Sequence, residues 1–319
     1  MSFSNRISIC KKIWDIENNY DVLSFKFNEI YLWPLIRYNI CSYLNQKYVE
    51  PNILVLSSRS YANSKNELIE KFTLNKKSKS IISYPISKFN KSAVNVFFDK
   101  PTNLNHNKFN KKYSSISAAY GLMKRDSKCV LLELIESASY ARQPRLYDPH
   151  YITYPHHCDF NNFKKNHLKY YQINKLNYLN VFFRDLNNYS ELNIPFSIID
   201  DIKSQLCYQI RMVPHMQHLF AKIKPTTVYL VGFSPFSYSP AVNIACSALG
   251  IRTVEIQNGL IGPYEWPHTH FSKYPDTGYE MLSNNLWVWD EETSIQILGS
   301  CASNISSQIP IVLGIPRAY

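Results

Sequence analysis

The stretch from Lys224 to Arg317 decides the fold of this chain. It opens with three segments in close succession, which read Pro225-Thr-Thr-Val-Tyr-Leu-Val-Gly232, Ser239-Pro-Ala-Val-Asn-Ile-Ala-Cys-Ser-Ala-Leu-Gly250 and Arg252-Thr-Val-Glu-Ile-Gln-Asn-Gly259. The first and third contain short β-branched runs, which predict buried strands at 227–231 and 253–256. The segment between them carries the marks of a helix, so the unit reads as strand, helix, strand.

The helix prediction rests on its two ends. Ser239 suits an N-cap, Pro240 suits the first helical position and Gly250 suits the C′ position. A helix between two consecutive strands of one sheet implies a parallel crossover. Ligands of open parallel sheets bind in the loops beyond the carboxyl ends of the strands. The loop after Ile256 is therefore the first place to expect a functional site.

Short apolar runs elsewhere extend the same architecture. We predict an α/β fold, a Rossmann-like parallel sheet with flanking helices, whose strands lie near residues 53–56, 227–231, 253–256, 286–289 and 310–313. Further strands are predicted at 80–84, 94–98 and 129–134. We divide the chain into an N-terminal α/β region with a helical segment, 1–223, and a second unit, 224–319.

The helical predictions follow from apolar periodicity and proline positions. Residues 1–16 predict a short helix, and Pro34 suits the first turn of the next one. The alternating run Tyr20–Asn28 predicts a strand between them. Pro195 begins a helix that Pro214 is expected to kink or end.

Composition narrows the setting. The chain has 319 residues, a net charge of +11, seven scattered cysteines, no apolar leader and no apolar run long enough to span a bilayer. These features predict a cytoplasmic protein with reduced thiols, and neither a spaced metal-ligand set nor a nucleic-acid motif is present. The basic charge has two interpretations: general solubility, or attraction to an anionic membrane surface or substrate.

The loop after Ile256 is rich in groups that bind hydroxyls or move protons. It begins Gln257-Asn258-Gly259 and continues Pro263-Tyr-Glu-Trp-Pro-His-Thr-His270. Glu265, His268, His270 and, in the later Tyr274-Pro-Asp276, Asp276 are candidate acid–base residues, because their charge can change or be tuned in a cleft. The alternative is an aromatic loop that packs against a neighbouring part of the structure.

Two other segments supply candidate binding residues. The polar loop Ser57-Ser58-Arg59 follows the strand predicted at 53–56, where anionic or hydroxyl-rich ligands commonly bind. Ordinary helix capping by the serines is the alternative. Arg37 lies on an otherwise apolar helical face, where it binds either a ligand or a nearby carboxylate.

Several of these motifs resemble one known family. Val254-Glu-Ile-Gln-Asn-Gly-Leu-Ile-Gly-Pro-Tyr264, Tyr274-Pro-Asp276, Leu286-Trp-Val-Trp-Asp-Glu291 and Val312-Leu-Gly-Ile-Pro-Arg317 are similar to segments of bacterial capsule and lipopolysaccharide O-antigen glycosyltransferases. Trp33-Pro-Leu-Ile-Arg37 and Ile53-Leu-Val-Leu-Ser-Ser58 also resemble that family. The resemblance implies a GT-B-like architecture, in which two Rossmann-like domains face each other across a cleft.

The resemblance also implies an activity. It implies sugar transfer from a nucleotide-sugar donor to a lipid-linked or polysaccharide acceptor at the inner face of the plasma membrane. It implies no cofactor and no metal, provided that the protein stabilises the departing phosphate. Gln257 and Gly259 would bind substrate, as would Ser57, Ser58, Arg59 and Arg37. Asn258, Glu265, His268 and His270 would act in catalysis.

Two departures from the family pattern leave alternatives open. Asn258 stands where the family has the histidine of a Gln-His-Gly motif, and an amide cannot transfer a proton near neutral pH. The family's donor domain would follow the Gly-x-Pro-Arg segment, so we expect the donor half to be missing and the chain alone to be incomplete as a catalyst. A non-catalytic binding or assembly module, or a polyol-phosphate polymer phosphotransferase, are the alternative functions.

Overall fold

A parallel sheet lies at the centre of the fold. The computed structural model describes residues 3–48, 84–85, 93–99, 105–106, 112–125, 127–135, 146–147, 149–153, 176–190, 192–235, 237–261, 268–300 and 305–316. Within these residues, eight strands form the sheet, and every neighbouring pair is parallel. In chain order they are β3 (Tyr84–Pro85), β4 (Asn95–Asp99), β7 (Cys129–Ile135), β8 (His150–Thr153), β9 (Thr227–Val231), β10 (Arg252–Ile256), β11 (Asn285–Val288) and β12 (Ile309–Val312).

The described helices and two small hairpins surround this sheet. The helices are α1 (Phe3–Asn19), α2 (Trp33–Tyr48), α3 (Ser115–Met123), α4 (Tyr178–Ser190), α5 (Ser197–Ile223), α6 (Ser239–Ala248) and α7 (Glu291–Gly299). The antiparallel pairs are β1 (Lys26–Phe27) with β2 (Ile30–Tyr31), and β5 (Asn105–His106) with β6 (Lys112–Tyr113). The predicted Rossmann-like α/β class is confirmed.

The strand order contains one reversal of direction. The sheet runs β12-β11-β10-β9-β4-β7-β8-β3. From β4 the chain moves through β7 to β8 on one side, and from β9 it moves through β10 and β11 to β12 on the other. The loops that leave the carboxyl ends of β4 and β9 therefore run in opposite directions along the sheet. In folds of this kind, ligands bind in the crevice between two such loops. Because β9 pairs directly with β4, the ranges 1–223 and 224–319 share one sheet.

The two faces of the sheet carry different helices. On one face α3 packs against an aromatic row in which the Phe97 and Tyr229 rings stack 4.5 Å apart and Trp287 meets Tyr229 edge-on. On the other face α5 and α6 cover Val96, Phe98 and the neighbouring aliphatic side chains, while α7 covers the end at β11. Alternating residues of each strand pack into the core on one face or the other, as a sheet covered on both sides requires.

A separate helical core lies beside the sheet. Helices α1, α2 and α4 and the first half of α5 bury a continuous set of aliphatic and aromatic side chains, and residues 271–282 pack into the same core. Trp33 and Phe183 are among its largest fully buried members. This core brings α1 and α2 against the segment that follows the candidate loop, which matters for the site described below.

The sheet strands of the second unit match the sequence predictions closely. The strands predicted at 227–231, 253–256, 286–289 and 310–313 are present within one residue at each end, and those predicted at 94–98 and 129–134 are present as β4 and β7. The strand predicted at 53–56 lies outside the described residues. The one predicted at 80–84 is described only from Tyr84, where β3 begins. Gly250 adopts the left-handed conformation that the predicted helix end requires, with φ at 66°.

Three local predictions need correction. The strand predicted over Tyr20–Asn28 is a 3₁₀ turn followed by a short hairpin, because Asn28 and Glu29 both take positive φ (49° and 66°), as the two central residues of a type I′ turn do. Ser239 is the first residue of α6 and Pro240 the second, after an uncapped Tyr238. Pro214 does not end its helix, since α5 continues to Ile223.

Burial explains why α5 tolerates its proline. An interior proline removes one backbone hydrogen bond and costs about 3 kcal/mol. Met212, Met216, Leu219 and Phe220 on either side of it are buried in the core, whereas Pro214 itself faces solvent. Burial of those side chains outweighs the lost bond. None of the helices that the structure describes is both long and apolar enough to cross a bilayer.

Candidate functional site at the carboxyl edge of the sheet

The amino end of α3 forms the first part of the site. Ser114 caps the helix: its Oγ accepts from the Ser117 amide at 3.0 Å, and the Ser117 Oγ accepts from the Ser114 amide at 2.8 Å. The Ser114 hydroxyl also donates to Oδ2 of Asp99, the last residue of β4, which is buried. Asp99 pairs in register with Glu133 on β7, another buried carboxylate of the same sheet face.

Asn258 meets this helix end from the neighbouring strand. It lies two residues beyond the end of β10, is exposed, and accepts a 2.8 Å hydrogen bond at Oδ1 from the Ser115 hydroxyl. That bond fixes the orientation of the amide, so its NH₂ group is presented to solvent. We call Asp99, Ser114, Ser115 and Asn258 the edge cluster. It combines hydroxyl and amide groups with the positive end of a helix dipole, which suits hydroxyl-rich or anionic ligands.

Gln257 stabilises the loop rather than facing solvent. Its side chain is buried, its Oε1 accepts from the Trp289 amide at 2.8 Å, and its Nε2 donates to the Gly259 carbonyl at 2.8 Å. The Trp289 indole also donates to the Gln257 carbonyl at 3.2 Å. These bonds hold the ends of β10 and β11 together. Gln257 therefore affects a ligand only indirectly, by fixing the position of the loop.

Gly259 lies open at the edge. A Cβ placed there would meet no atom within 4 Å, and its φ is not in the left-handed region. The conformational freedom of glycine is therefore not used at this position in this structure. The next residue, Leu260, is 87% exposed, which leaves a large apolar side chain beside the edge cluster.

His268 lies in a second, buried polar group on the opposite sheet face. Its Nε2 is 3.4 Å from Oε1 of Glu255, which points from β10, and its Nδ1 is 3.2 Å from Nε2 of Gln308. An amide nitrogen can only donate, so Nδ1 accepts and the ring proton lies on Nε2, facing Glu255. Glu255 is held further by the Phe233 backbone N–H. Gly232 lies close by, since a Cβ there would be 3.0 Å from Glu255 Oε1 and would press on that carboxyl group.

Burial makes both members of this pair neutral near pH 7. Loss of hydration raises the pKa of Glu255 to about 8, an effect that the Phe233 N–H only partly offsets. Loss of hydration, with a smaller contribution from the nearby positive charge of Arg37, lowers the pKa of His268 to about 4. The pair is therefore a neutral hydrogen-bonded contact and not an ion pair. His268 is neutral, buried and engaged at both ring nitrogens, which fits a positioning role.

Arg37 also belongs to this buried group. Its Nε donates to Oε1 of Glu17 at 2.8 Å, its Nη2 donates to the Thr269 carbonyl at 2.7 Å, and its guanidinium lies 3.9 Å from the Phe271 ring centroid. Only 2% of Arg37 is exposed, and Glu17 is fully buried. Of the two sequence interpretations, contact with a carboxylate is the one observed. We call Glu17, Arg37, Glu255, His268 and Gln308 the buried cluster.

Sequence reasoning missed Glu17, Glu255 and Asp99. A signal for Glu255 was present: Thr253, Glu255 and Gln257 alternate with two aliphatic residues, which indicates a strand with one polar face. Asp99 is the last polar residue of an apolar run that predicts a strand, and this position at the edge where ligands bind is a second signal in the sequence. Glu17 has no such signal, because its partner lies 20 residues away on another helix.

The remaining sequence candidates are placed as follows. His270 is half-buried and has a positive φ of 60°, which is uncommon for a residue with a side chain. Glu265 and the loop Ser57-Ser58-Arg59 lie outside the described residues. Among the described residues, no group of three or more histidine, cysteine or acidic side chains is arranged to hold a metal ion.

No protein-family model fits this chain, and no curated protein aligns with it significantly. The functional argument therefore rests on the residues and on their geometry.

Proposed function

We propose that this chain is the acceptor-side part of a glycosyltransferase that assembles a bacterial surface polysaccharide, capsule or O-antigen. The proposal extends the confirmed Rossmann-like fold to a GT-B-like architecture. Its support is the family resemblance of the motifs together with the position of Asn258 at the carboxyl edge. In that reading a nucleotide sugar donates the sugar, and a lipid-linked or polysaccharide hydroxyl accepts it.

The observation that carries the proposal is the edge cluster. Asn258 stands at the motif position of the resemblance, and it is exposed where the crevice of a parallel sheet receives ligands. Its amide NH₂ donates to a sugar hydroxyl, and the partial positive charge at the amino end of α3, where Ser115 is partly exposed, favours the negative charge that develops on a departing phosphate. Leu260 offers an apolar surface beside these polar groups. Such a mixture of apolar and polar groups suits a sugar ring.

A binding measurement tests this assignment. Acceptor oligosaccharides from capsule or O-antigen repeats are titrated into the purified chain and followed by calorimetry. We expect Asn258→Leu to weaken binding by about tenfold, the value of one lost hydrogen bond of about 1.4 kcal/mol. Asn188→Leu, at an exposed position on α4, is the matched control and leaves binding unchanged. Equal affinity of both variants for every oligosaccharide would contradict the assignment of the edge.

The basic charge supports a further part of the proposal, attachment to the anionic inner membrane surface where lipid-linked acceptors reside. The net charge of +11 favours such a surface, and salt screens the attraction. Flotation with vesicles that contain 30% anionic lipid (about one lipid in three) is compared with flotation with neutral vesicles. Tighter, salt-sensitive binding to the anionic vesicles is expected, and equal binding to both would assign the charge to solubility.

A non-catalytic binding module of the same pathway is the second candidate. It is favoured by the chemistry of Asn258, which cannot accept a proton, and by the neutral, buried state of His268. A transfer assay with nucleotide-sugar and nucleotide-polyol donors separates the candidates. Turnover with a sugar donor, raised by Asn258→His, supports the enzyme. Oligosaccharide binding without turnover in either form supports the binding module, and turnover with a polyol donor alone supports a phosphotransferase.

A further inference from the structure

The buried cluster fastens residues 268–275 to four other parts of the structure. His268 contacts Glu255 on β10 and Gln308 just before β12. The carbonyl of Thr269 accepts from Arg37 on α2, and both the amide and the hydroxyl of Ser272 donate to Oε2 of Glu17 on α1, at 2.7 and 2.9 Å. Each of these contacts lies within five residues of the others along the segment.

Both carboxylate oxygens of Glu17 accept hydrogen bonds, whereas one carboxyl oxygen of Glu255 does not. The Glu17 carboxylate accepts four hydrogen bonds: from the Trp33 indole, Arg37 Nε, and the amide and hydroxyl of Ser272. Glu255 Oε2 is buried, and no described residue lies within hydrogen-bond reach of it. A carboxylate in such a place has lost its water without gaining enough donors, so its neutral form is the one that fits.

We propose that the Glu255–His268 contact is a proton-dependent latch, which holds residues 268–275 against the sheet while Glu255 carries its proton and releases them when that proton is lost. The released segment is part of the stretch that joins the candidate loop at 257–261 to β11. The latch therefore regulates how firmly this stretch is held against the sheet. This inference does not depend on the reaction or ligand proposed above.

Of the two members of the latch pair, only one titrates between pH 6.5 and 8. Arg37 faces the pair from α2; burial lowers its pKa, but the Glu17 carboxylate on α1 outweighs this and the pKa stays above its usual value. Tyr279 faces Glu17 and Arg37 from the segment after the latch, and burial raises its pKa. Tyr274 lies beside Phe271 and Tyr279, and its charge would act on Arg37. His268 gains its proton only near pH 4. Within this window, Glu255 is the group of the pair that changes charge.

Release is expected to be local and steep in pH. The closed segment needs protonated Glu255, with a pKa of about 8, whereas the open segment exposes a carboxyl of ordinary pKa. Linkage then raises the opening equilibrium constant by about tenfold for each pH unit, until Glu255 ionises in the closed form. From pH 6.5 to 8 the constant therefore increases by roughly tenfold or more, and above pH 8 it levels off.

Hydrogen exchange of peptides covering 268–275 tests the latch in the full chain. Exchange is measured at pH 6.5, 7.3, 8.0 and 9.0, divided by the intrinsic rate at each pH, and compared with peptides of α5. Wild type is expected to lose protection of 268–275 by roughly tenfold up to pH 8 while α5 is unchanged. Glu255→Gln, which keeps the shape but cannot ionise, is expected to remove this dependence.

A matched control and a second variant complete the test. Glu291→Gln, at an exposed position in the first turn of α7, retains the pH dependence of wild type. His268→Gln keeps a donor toward Glu255 and retains the dependence as well, because the titrating group is Glu255. A protection factor of 268–275 that is independent of pH in wild type, or one whose pH dependence survives in Glu255→Gln, would overturn the proposal.

Discussion

The buried cluster and the edge cluster lie on opposite faces of one sheet and use their polar groups in different ways. The buried cluster contains an arginine, two glutamates and a histidine, and these side chains contact one another. The edge cluster holds an amide, two hydroxyls and one buried carboxylate, and it presents its amide to solvent. In this protein the charged side chains and the imidazole of the buried cluster stabilise the fold, whereas the neutral hydrogen-bonding groups of the edge cluster face the position where ligands bind.

This contrast shows how a residue type can mislead about its role. Arginine and histidine are common in active sites, but a buried position converts them into structural groups when their donors are all engaged. Arg37 and His268 are in that position. The predictions below compare the two clusters by how much each contributes to stability.

The largest effect is expected from breaking the ion pair of the buried cluster. Arg37→Met leaves the fully buried Glu17 carboxylate without its countercharge, which costs about 3–5 kcal/mol in the free energy of unfolding. Urea unfolding measures the change. Arg184→Met is the matched control, because Arg184 pairs with Asp185 at the surface, where both side chains are at least half exposed. That variant is expected to lose less than about 1 kcal/mol.

A double variant separates the ion pair from ordinary packing. Glu17→Leu combined with Arg37→Met removes both charges and replaces them with apolar groups, so most of the stability lost in Arg37→Met is expected to return. A loss in Arg37→Met no larger than that in Arg184→Met would show that the buried cluster is not an organising contact of the helical core.

The fold was more predictable from sequence than either cluster. The strands β9 to β12 follow from short β-branched runs, because strands of a parallel sheet covered by helices are rich in apolar residues, and the edge strand β12 keeps this composition although its side chains are partly exposed. The hairpin at Asn28 and Glu29 was missed, since the same alternation of residues fits one long strand or two short ones. The continuation of α5 past Pro214 depends on tertiary burial, which no local pattern reports.

The site was predictable only in its position. The rule that ligands bind beyond strand ends led to residues 257–259, and Asn258 is exposed there. The same rule could not tell that Gln257 turns inward to Trp289, because that depends on where β11 ends. The segment that begins at His268 is held by contacts with α2, such as the one between Arg37 and Thr269, which are 232 positions apart in the sequence.

The second effect is a pH dependence that belongs to the buried cluster alone. Glu255 has a raised pKa of about 8 in the folded chain, so the stability it contributes is complete at acid pH and is lost as pH rises toward 8. His268 has a lowered pKa of about 4, so the stability it contributes is complete above pH 6.5 and is lost as pH falls toward 4. The two effects oppose each other below pH 6.5, and only that of Glu255 remains above it.

Urea unfolding at pH 6.5 and pH 8 measures the part due to Glu255. The difference in unfolding free energy between wild type and Glu255→Gln is expected to shift by about 2 kcal/mol over this interval, since each pH unit of linkage is worth about 1.4 kcal/mol. Asp276→Asn, at an exposed position, provides the reference for titration at the surface. A difference that stays constant with pH would mean that Glu255 is ionised or solvated in the folded chain.

A smaller effect is expected where the edge cluster meets the fold. Ser114→Ala removes the cap of α3 and the hydroxyl that donates to Asp99, so it is expected to cost about 1–2 kcal/mol. Ser115→Ala, one residue further along, removes a hydroxyl that bonds only to the exposed Asn258 among the described residues, and it is expected to cost less than about 0.5 kcal/mol. Thermal unfolding of both variants checks the order, and equal losses would mean that the cap is not formed.

The smallest effect tests whether Asn258 of the edge cluster contributes to the fold, because the same substitution is compared at Asn258 and at a buried asparagine of α2. Asn258→Ala removes an exposed amide whose one bond among the described residues is to a hydroxyl, and its free energy of unfolding is expected to stay within about 0.5 kcal/mol of wild type. Asn39→Ala removes a buried amide that donates to the Leu35 carbonyl and to Gln205 Oε1, and it leaves Gln205 without that donor, so a loss of about 1–3 kcal/mol is expected. Urea unfolding of both variants under one condition gives the comparison. Because Asn258 contributes so little to the fold, any loss of oligosaccharide binding in Asn258→Ala would report on the ligand contact itself. A loss of stability in Asn258→Ala as large as that in Asn39→Ala would instead place Asn258 in the scaffold and remove the edge cluster as a ligand site.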